Sequence, residues 1–352
     1  MSTSAVSPMA QSGLLAQLVA NSAAAQKQVD DLTLETSSGL RSQTYGGLGA
    51  EAGVSLDLRP QMAEIGAWQQ NISSAGTALD TTQSVLGQLH GIASTFSADA
   101  IGADLQTGTG VSALAGQAQQ ALAQVEGLLN TQQNGAYAFS GTQSQTAPID
   151  ASALSGFASS VAGIVAGLST GSSASSVMSS AISAGSTAAF TWPGLSVSGT
   201  TPAALGVPVG RNTTLSVGFV AGRNSFAPPA GGGTGSYVRD LVTGLAALAG
   251  LSGTTAGSGT LQSFGASVSS LLTGTADTIG TEEAGFGGVQ DQAGSQGTAL
   301  SDTLTSLTRQ VSSVEDTDMT STATALSQVQ TQLEASYKLI AALSNLSLVA
   351  YL

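Results

Sequence analysis

The sequence predicts a mainly α protein. Its N- and C-terminal regions form a long antiparallel coiled coil or helical bundle, with a small β-containing (α+β) insertion domain between them. Three observations carry this. Leu300, Leu304, Leu307, Val311 and Val314 recur at three-four steps, and after Asp318 the rhythm resumes with Met319, Leu326, Val329, Leu333, Ile340 and Leu343. So narrow a stripe is the seam of a helix packed along another helix. Ile65, Trp68, Ile72, Ala75, Leu79, Thr82, Leu86, Leu89, Ala93 and Phe96 keep the same rhythm near the other terminus, so the two seams are expected to pair. Between them, from about Asp150 to Gly235, composition shifts to Ser, Gly, Ala and Thr. Six of the eight prolines (148, 193, 202, 208, 228 and 229) lie in or beside that stretch.

In order, a first helix is expected from Gln11 to Ser37, with Leu15, Leu18, Ala25, Val29 and Leu32 on one face. Gly39 is placed to end it in the left-handed conformation. Tyr45-Gly46-Gly47-Leu48-Gly49 reads as an ordered loop, and Pro60 either opens or kinks the second helix, which runs to about Phe96. A third helix carries Val111, Leu114, Ala118, Ala121, Val125 and Leu128 and stops at the Asn134-Gly135 turn; Ala136–Thr142 then alternates like a short strand. Residues 153–184 suit one or two weak helices, and 190–226 suit short strands, Thr213–Val217 among them. The stretch 150–235 reads as a separate small domain or mobile insertion, with low-complexity disorder as the alternative. Helical periodicity returns at Val238–Leu248 and Leu261–Leu272, and a Gly-rich interval, Gly280 to Gly297, leads into the terminal seam. The expected division is 1–149 with 236–352 as the helical body and 150–235 as a variable outer domain.

The totals exclude several classes. Of 352 residues, 4% are aromatic and 8% charged, where charged residues average roughly a quarter. The net charge of −13, with eight basic residues scattered singly, argues against nucleic acid, which needs clustered Lys and Arg. With no Cys there is no disulfide, thiol chemistry or cysteine metal site. Met1–Gln11 has neither a basic region nor a long apolar run, and no 18-residue stretch is free of Ser, Thr and Gly. Neither a cleaved signal nor membrane insertion is expected.

Chemistry is sparse. His90, the single histidine, falls between seam positions, with no nucleophile or orienting partner fixed near it by sequence. Gly167-Leu168-Ser169-Thr170-Gly171 matches a nucleophile elbow without an evident strand-to-helix context. Gly231-Gly232-Gly233-Thr234-Gly235 lacks the Lys of a phosphate loop and reads as a hinge. Glu282-Glu283 and Glu315-Asp316-Thr317-Asp318 lack calcium-loop spacing. No catalytic residue, cofactor or metal site is expected.

The ends carry a resemblance. Thr36-Ser37-Ser38-Gly39-Leu40-Arg41 is similar to the turn after the first helix of bacterial flagellins and of their relatives, the hook–filament junction proteins. Asn134–Thr142, with Thr146 and Pro148, resembles the Gly-Tyr-Phe-Ser-Gly-Thr segment of the junction proteins. Val314–Asp318 resembles the acidic step of both groups, and Leu333–Tyr337 and Leu346–Leu352 resemble the junction proteins most. The resemblance spans residues 12–148 and 298–352; Leu40 is the residue commoner in flagellin. It implies a structural subunit of the bacterial flagellum, joining hook to filament, with flagellin itself as the alternative. It also implies extracellular placement after type III export, with an export chaperone. The partners implied are other copies of the chain, flagellin and another hook-associated protein.

Gly66, Gly76, Gly87 and Gly91 each cost the second helix about 1 kcal/mol relative to Ala, so its seam is marginal as a single pair. Terminal helices 11–37 and 319–352 are therefore expected to be loose in the monomer and ordered by neighbouring subunits. The seam residues expected to serve core or assembly are Leu15, Leu18, Leu32, Ile65, Ile72, Leu79, Leu86, Leu89, Leu326, Val329, Leu333, Ile340 and Leu343.

Overall fold

The computed structural model describes residues 8–187, 203–229 and 231–349, and the side chains of Leu15 and Leu343 lie outside the described set. So does the part of the expected strand region before residue 203. Helices α1 (Pro8–Ser38), α2 (Ala52–Asp99), α3 (Gly108–Leu129), α4 (Ala151–Val165), α5 (Ala174–Thr187), α6 (Tyr237–Ala249), α7 (Ser258–Glu315) and α8 (Met319–Val349) make it mainly α. Two antiparallel pairs, β1 (Gln132–Gln133) with β2 (Ala136–Tyr137) and β3 (Gly206–Pro208) with β4 (Thr214–Ser216), supply the β content. The chain divides into two compact units, Met1–Gly66 with Asp302–Leu352, and Ala67–Ser301; α2 and α7 each lend residues to both.

In the first unit α1 packs against α8. Leu40 bridges Asp316 at one end and the Tyr337 hydroxyl donates to Gln26 Oε1 at 3.0 Å further along, so the two run antiparallel. Gly39, at φ 72°, takes the left-handed conformation its position predicts, its N–H donating to Glu35 O at 2.8 Å. Asp318 opens α8 as an N-cap, its Oδ1 accepting the N–H groups of Thr320 and Ser321 at 3.0 and 3.3 Å.

Four expectations change here. Tyr45–Glu51 is a short 3₁₀ turn rather than a loop, broken at Gly49 with φ 58°. Pro60 does not open α2: the helix begins eight residues earlier and continues through it. Pro60 and Leu56 are exposed, so the Leu56 carbonyl that the missing N–H leaves free faces solvent. The Gly-rich interval 280–297 is helical throughout α7, with Gly287 beside Gln83 and Gly297 beside Ile72 on the side that meets α2. That changes the pairing. The α2 seam runs antiparallel to residues 283–297, with Gln290 Nε2 donating to Asp80 Oδ1 at 2.6 Å, while the terminal stripe from Met319 onward pairs with α1.

The second unit has one core. α3 turns Val111, Leu114, Ala118, Ala121 and Val125 inward at helical spacing, each fully buried Val or Leu being worth roughly 1.5–3 kcal/mol. α6 is buried on every side, between α3, α4 and α5, and Gly244 lets it close on Leu272 of α7. Residues 150–235 join this core through Leu154, Val161, Val177, Leu215 and Phe219. Asn134 (φ 52°) and Gly135 (φ 78°) form the expected turn, but α3 ends earlier, at Leu129, and the turn joins β1 to β2 as a hairpin. Phe139, just beyond, meets Phe219 edge to face at 5.0 Å, and Phe219 in turn lies near Tyr237 and Phe286.

Candidate functional site

The richest polar geometry joins two segments that the sequence presents as separate motifs, Ser37–Arg41 and Val314–Asp318. The Arg41 N–H donates to Glu315 O at 2.7 Å and the Thr317 N–H to Gly39 O at 2.9 Å, so the exit of α1 and the entry of α8 are stitched side by side. Arg41 Nη1 continues to Glu51 Oε2 at 2.6 Å and to Val314 O at 3.3 Å.

Behind this stitch the Glu315 side chain is buried. It accepts Arg59 Nε at 3.0 Å and Nη2 at 2.5 Å, and a hydrogen bond from the Ser55 hydroxyl. The Arg59 guanidinium, then the Ser55 hydroxyl, hold the Glu315 carboxyl below its ordinary pKa, against a smaller opposing effect of burial. Neither Arg59 nor Ser55 was among the predicted site residues. A signal existed: Glu315 follows Val311 by four positions and Arg59 follows Ser55 by four, so a carboxylate and its donors occupy seam register.

The predicted seam residues divide between the units. Leu79, Leu86 and Leu89 are fully buried and Ile72 half-buried within the second unit; Ile65 is buried in the first. Of the predicted seam residues described in the α1–α8 pair, Val329 and Leu333 are buried, while Leu18, Leu32, Leu326 and Ile340 stay half-exposed. Beside them Val19, Leu34, Met319, Tyr337 and Leu339 stand open, Leu339 at 55% of its full area. Two facing helices have too little surface to cover both apolar stripes, and apolar area left in rows marks an interaction face.

The remaining motifs resolve structurally. Ser169 lies in a 3₁₀ turn after α4, 3.1 Å from the Thr254 hydroxyl, without a strand before it. The glycine run 231–235 is not a hinge between domains but the turn before α6, closing on buried Asp240, whose Oδ1 accepts the Thr234 N–H at 2.5 Å. Burial raises the Asp240 pKa, with the Thr234 bonds opposing. Glu282 is buried and accepts backbone N–H groups. His90 is half-exposed on α2. Among the described residues no group of three His, Cys, Asp or Glu is placed to hold a metal ion.

Residues 10–144 match the profile of the bacterial flagellin N-terminal helical region, and residues 270–352 that of the bacterial flagellin C-terminal helical region, together more than half of the chain. A solved structure from Vibrio parahaemolyticus, assigned as a flagellar hook-associated protein, shares the fold with a TM-score of 0.52. It is 15% identical over 75% of this chain and 97% of its own. A search of curated proteins gives no match.

Proposed function

This chain belongs to the bacterial flagellin family, and from that premise we propose that it is a structural subunit joining hook to filament by helix-on-helix packing between copies. The observation that carries the reading is the uncovered apolar surface of the α1–α8 pair, which a monomer leaves in water and a neighbouring copy would bury. The Glu315 latch supports it, because it ties both terminal helices to α2 at a single point and fixes where that surface starts. In this reading residues 1–149 and 236–352 form the body and 150–235 the outer part. The partners are further copies of the chain, flagellin and another hook-associated protein, reached after export with a chaperone. The Asn134–Thr142 turn, with Phe139 fully buried, favours a junction subunit over filament flagellin on the residues it shares with that group.

Immunogold labelling tests the placement: label confined to the hook tip supports the junction role, and label along the whole filament makes the chain the filament subunit. The packing is tested by Ile340→Asp, which places a charge in the half-exposed stripe. Incorporation into the flagellum should fall, and unchanged motility would remove Ile340 from the interface.

A further inference from the structure

We propose that residues 223–229 form a strap fastened across α7 by the single carboxylate of Glu282, and that this carboxylate is the point at which the strap opens without unfolding the helices. Glu282 is fully buried, and Oε1 accepts the N–H groups of Ser225 at 2.9 Å, Phe226 at 2.8 Å and Ala227 at 2.7 Å. Oε2 takes the Ser225 N–H as well, at 3.0 Å. These three successive N–H groups belong to no helix or strand, so the carboxylate stands in for the whole ladder a sheet would have supplied. Pro228 and Pro229 follow with no N–H to add.

The other fastenings are fewer. The preceding Val220 and Ala221 anchor its near end, Val220 bridging Ser140 and the Ala221 N–H donating to Phe139 O at 3.0 Å. Asn224 Oδ1 accepts a single N–H, from Tyr237 at 3.2 Å. The Phe226 ring lies where a Cβ on Gly285 would sit and meets Phe286 edge to face at 4.9 Å, yet 45% of Phe226 is exposed. Asn224 Nδ2 reaches Pro228 O at 3.4 Å, a long bond within the strap itself. Beneath, α6 and α7 hold together through residues the strap does not touch, Gly244 and Leu272 among them. Removing the Glu282 acceptor orphans three donors, and the strap restores them to water by lifting, a local opening rather than a global one. Lifting bares the faces of Phe226 and Phe286 and frees the backbone at Arg223–Asn224, where Arg223 is exposed at the surface, to extend into a protease. This does not depend on the assembly reading.

Limited trypsin digestion of the full chain, with the fragments mapped by mass, tests it. Glu282→Ala should be cut after Arg223 at least tenfold faster than the natural chain, with the helical circular dichroism signal and the cut after Arg309 unchanged. Glu282→Gln keeps one carbonyl oxygen but turns an NH₂ group toward Ser225, and should fall between the two. Phe226→Ala should release the strap less than Glu282→Ala. If Glu282→Ala does not fold, faster cutting after Arg223 in a natively helical Glu282→Gln carries the test. The proposal is overturned by an unchanged rate at Arg223, by equal acceleration at Arg309, or by Phe226→Ala releasing the strap as fully as Glu282→Ala.

Discussion

Glu315, the last residue of α7, accepts two hydrogen bonds from the guanidinium of Arg59 on α2, 256 positions earlier in the chain. The carboxylate is buried and the guanidinium half-exposed, so the pair is neither a surface bridge worth almost nothing nor a dry ion pair dominated by desolvation. Glu315→Ala should lower stability by roughly 1–2 kcal/mol, because it strands the Ser55 hydroxyl and the Arg59 fork together. A double-mutant cycle with Arg59→Ala, read by urea unfolding, should show coupling; strict additivity would mean the two do not act as a unit.

The same pair sets an acid dependence. Arg59 holds the Glu315 pKa below its ordinary 4.5, so its stabilising contribution is present above that value and is lost as pH falls through the folded-state value. Asp240 acts in the opposite sense. Burial raises its pKa above 3.8, so its contribution is full below that value and is lost as pH rises through the folded-state value. Hydrogen exchange across an acid series should therefore show residues 39–59 and 314–318 loosening as pH falls. A Glu315→Gln variant should lose that dependence.

How far the sequence reveals this molecule depends on whether a feature is local. The Gly39 ending, the Asn134-Gly135 turn, the α3 face and the resumption of helix after Asp318 each rest on a few adjacent residues, and each is where the pattern puts it. N- and C-terminal helices pair as the two seams predict, α2 along α7, but periodicity fixes a face and not a register, so the stripe from Met319 onward lies on α1 instead. The Leu40–Asp316 bridge sets that α1–α8 pairing, a contact between residues 276 positions apart. The Glu315 latch was hidden for a related reason: its donors lie 256 and 260 positions away, and no spacing rule reaches that far.

The uneven burial predicts uneven protection. Every residue of α6 is buried, whereas the α1–α8 pair buries few apolar side chains, so the isolated chain should exchange α8 amides much faster than α6 amides. Assembly should slow α1 and α8 selectively. Equal protection of all three helices in the monomer would mean that the terminal pair is already complete.

Asp240→Asn removes a buried charge and keeps the oxygen that accepts the Thr234 N–H. Near neutral pH it should raise stability by about 1 kcal/mol or leave it unchanged, the gain shrinking as the wild-type carboxyl protonates in acid. A loss of stability at neutral pH would show that the charge itself is used.

Glycine replacements separate close approach from mere helix weakness. Gly91 in α2 has open space where a Cβ would point, so Gly91→Ala should stabilise by up to about 1 kcal/mol through helix propensity alone. Gly265 in α7 is just as helical, but a Cβ there would run into the backbone carbonyl of Ala100 and the Leu105 side chain. A backbone carbonyl cannot rotate out of the way. Gly265→Ala should therefore cost about 1–3 kcal/mol despite the better propensity of alanine. Thermal unfolding of the two variants should move in opposite directions, and a rise in both would mean that the approach of α7 to the end of α2 is looser than this contact requires.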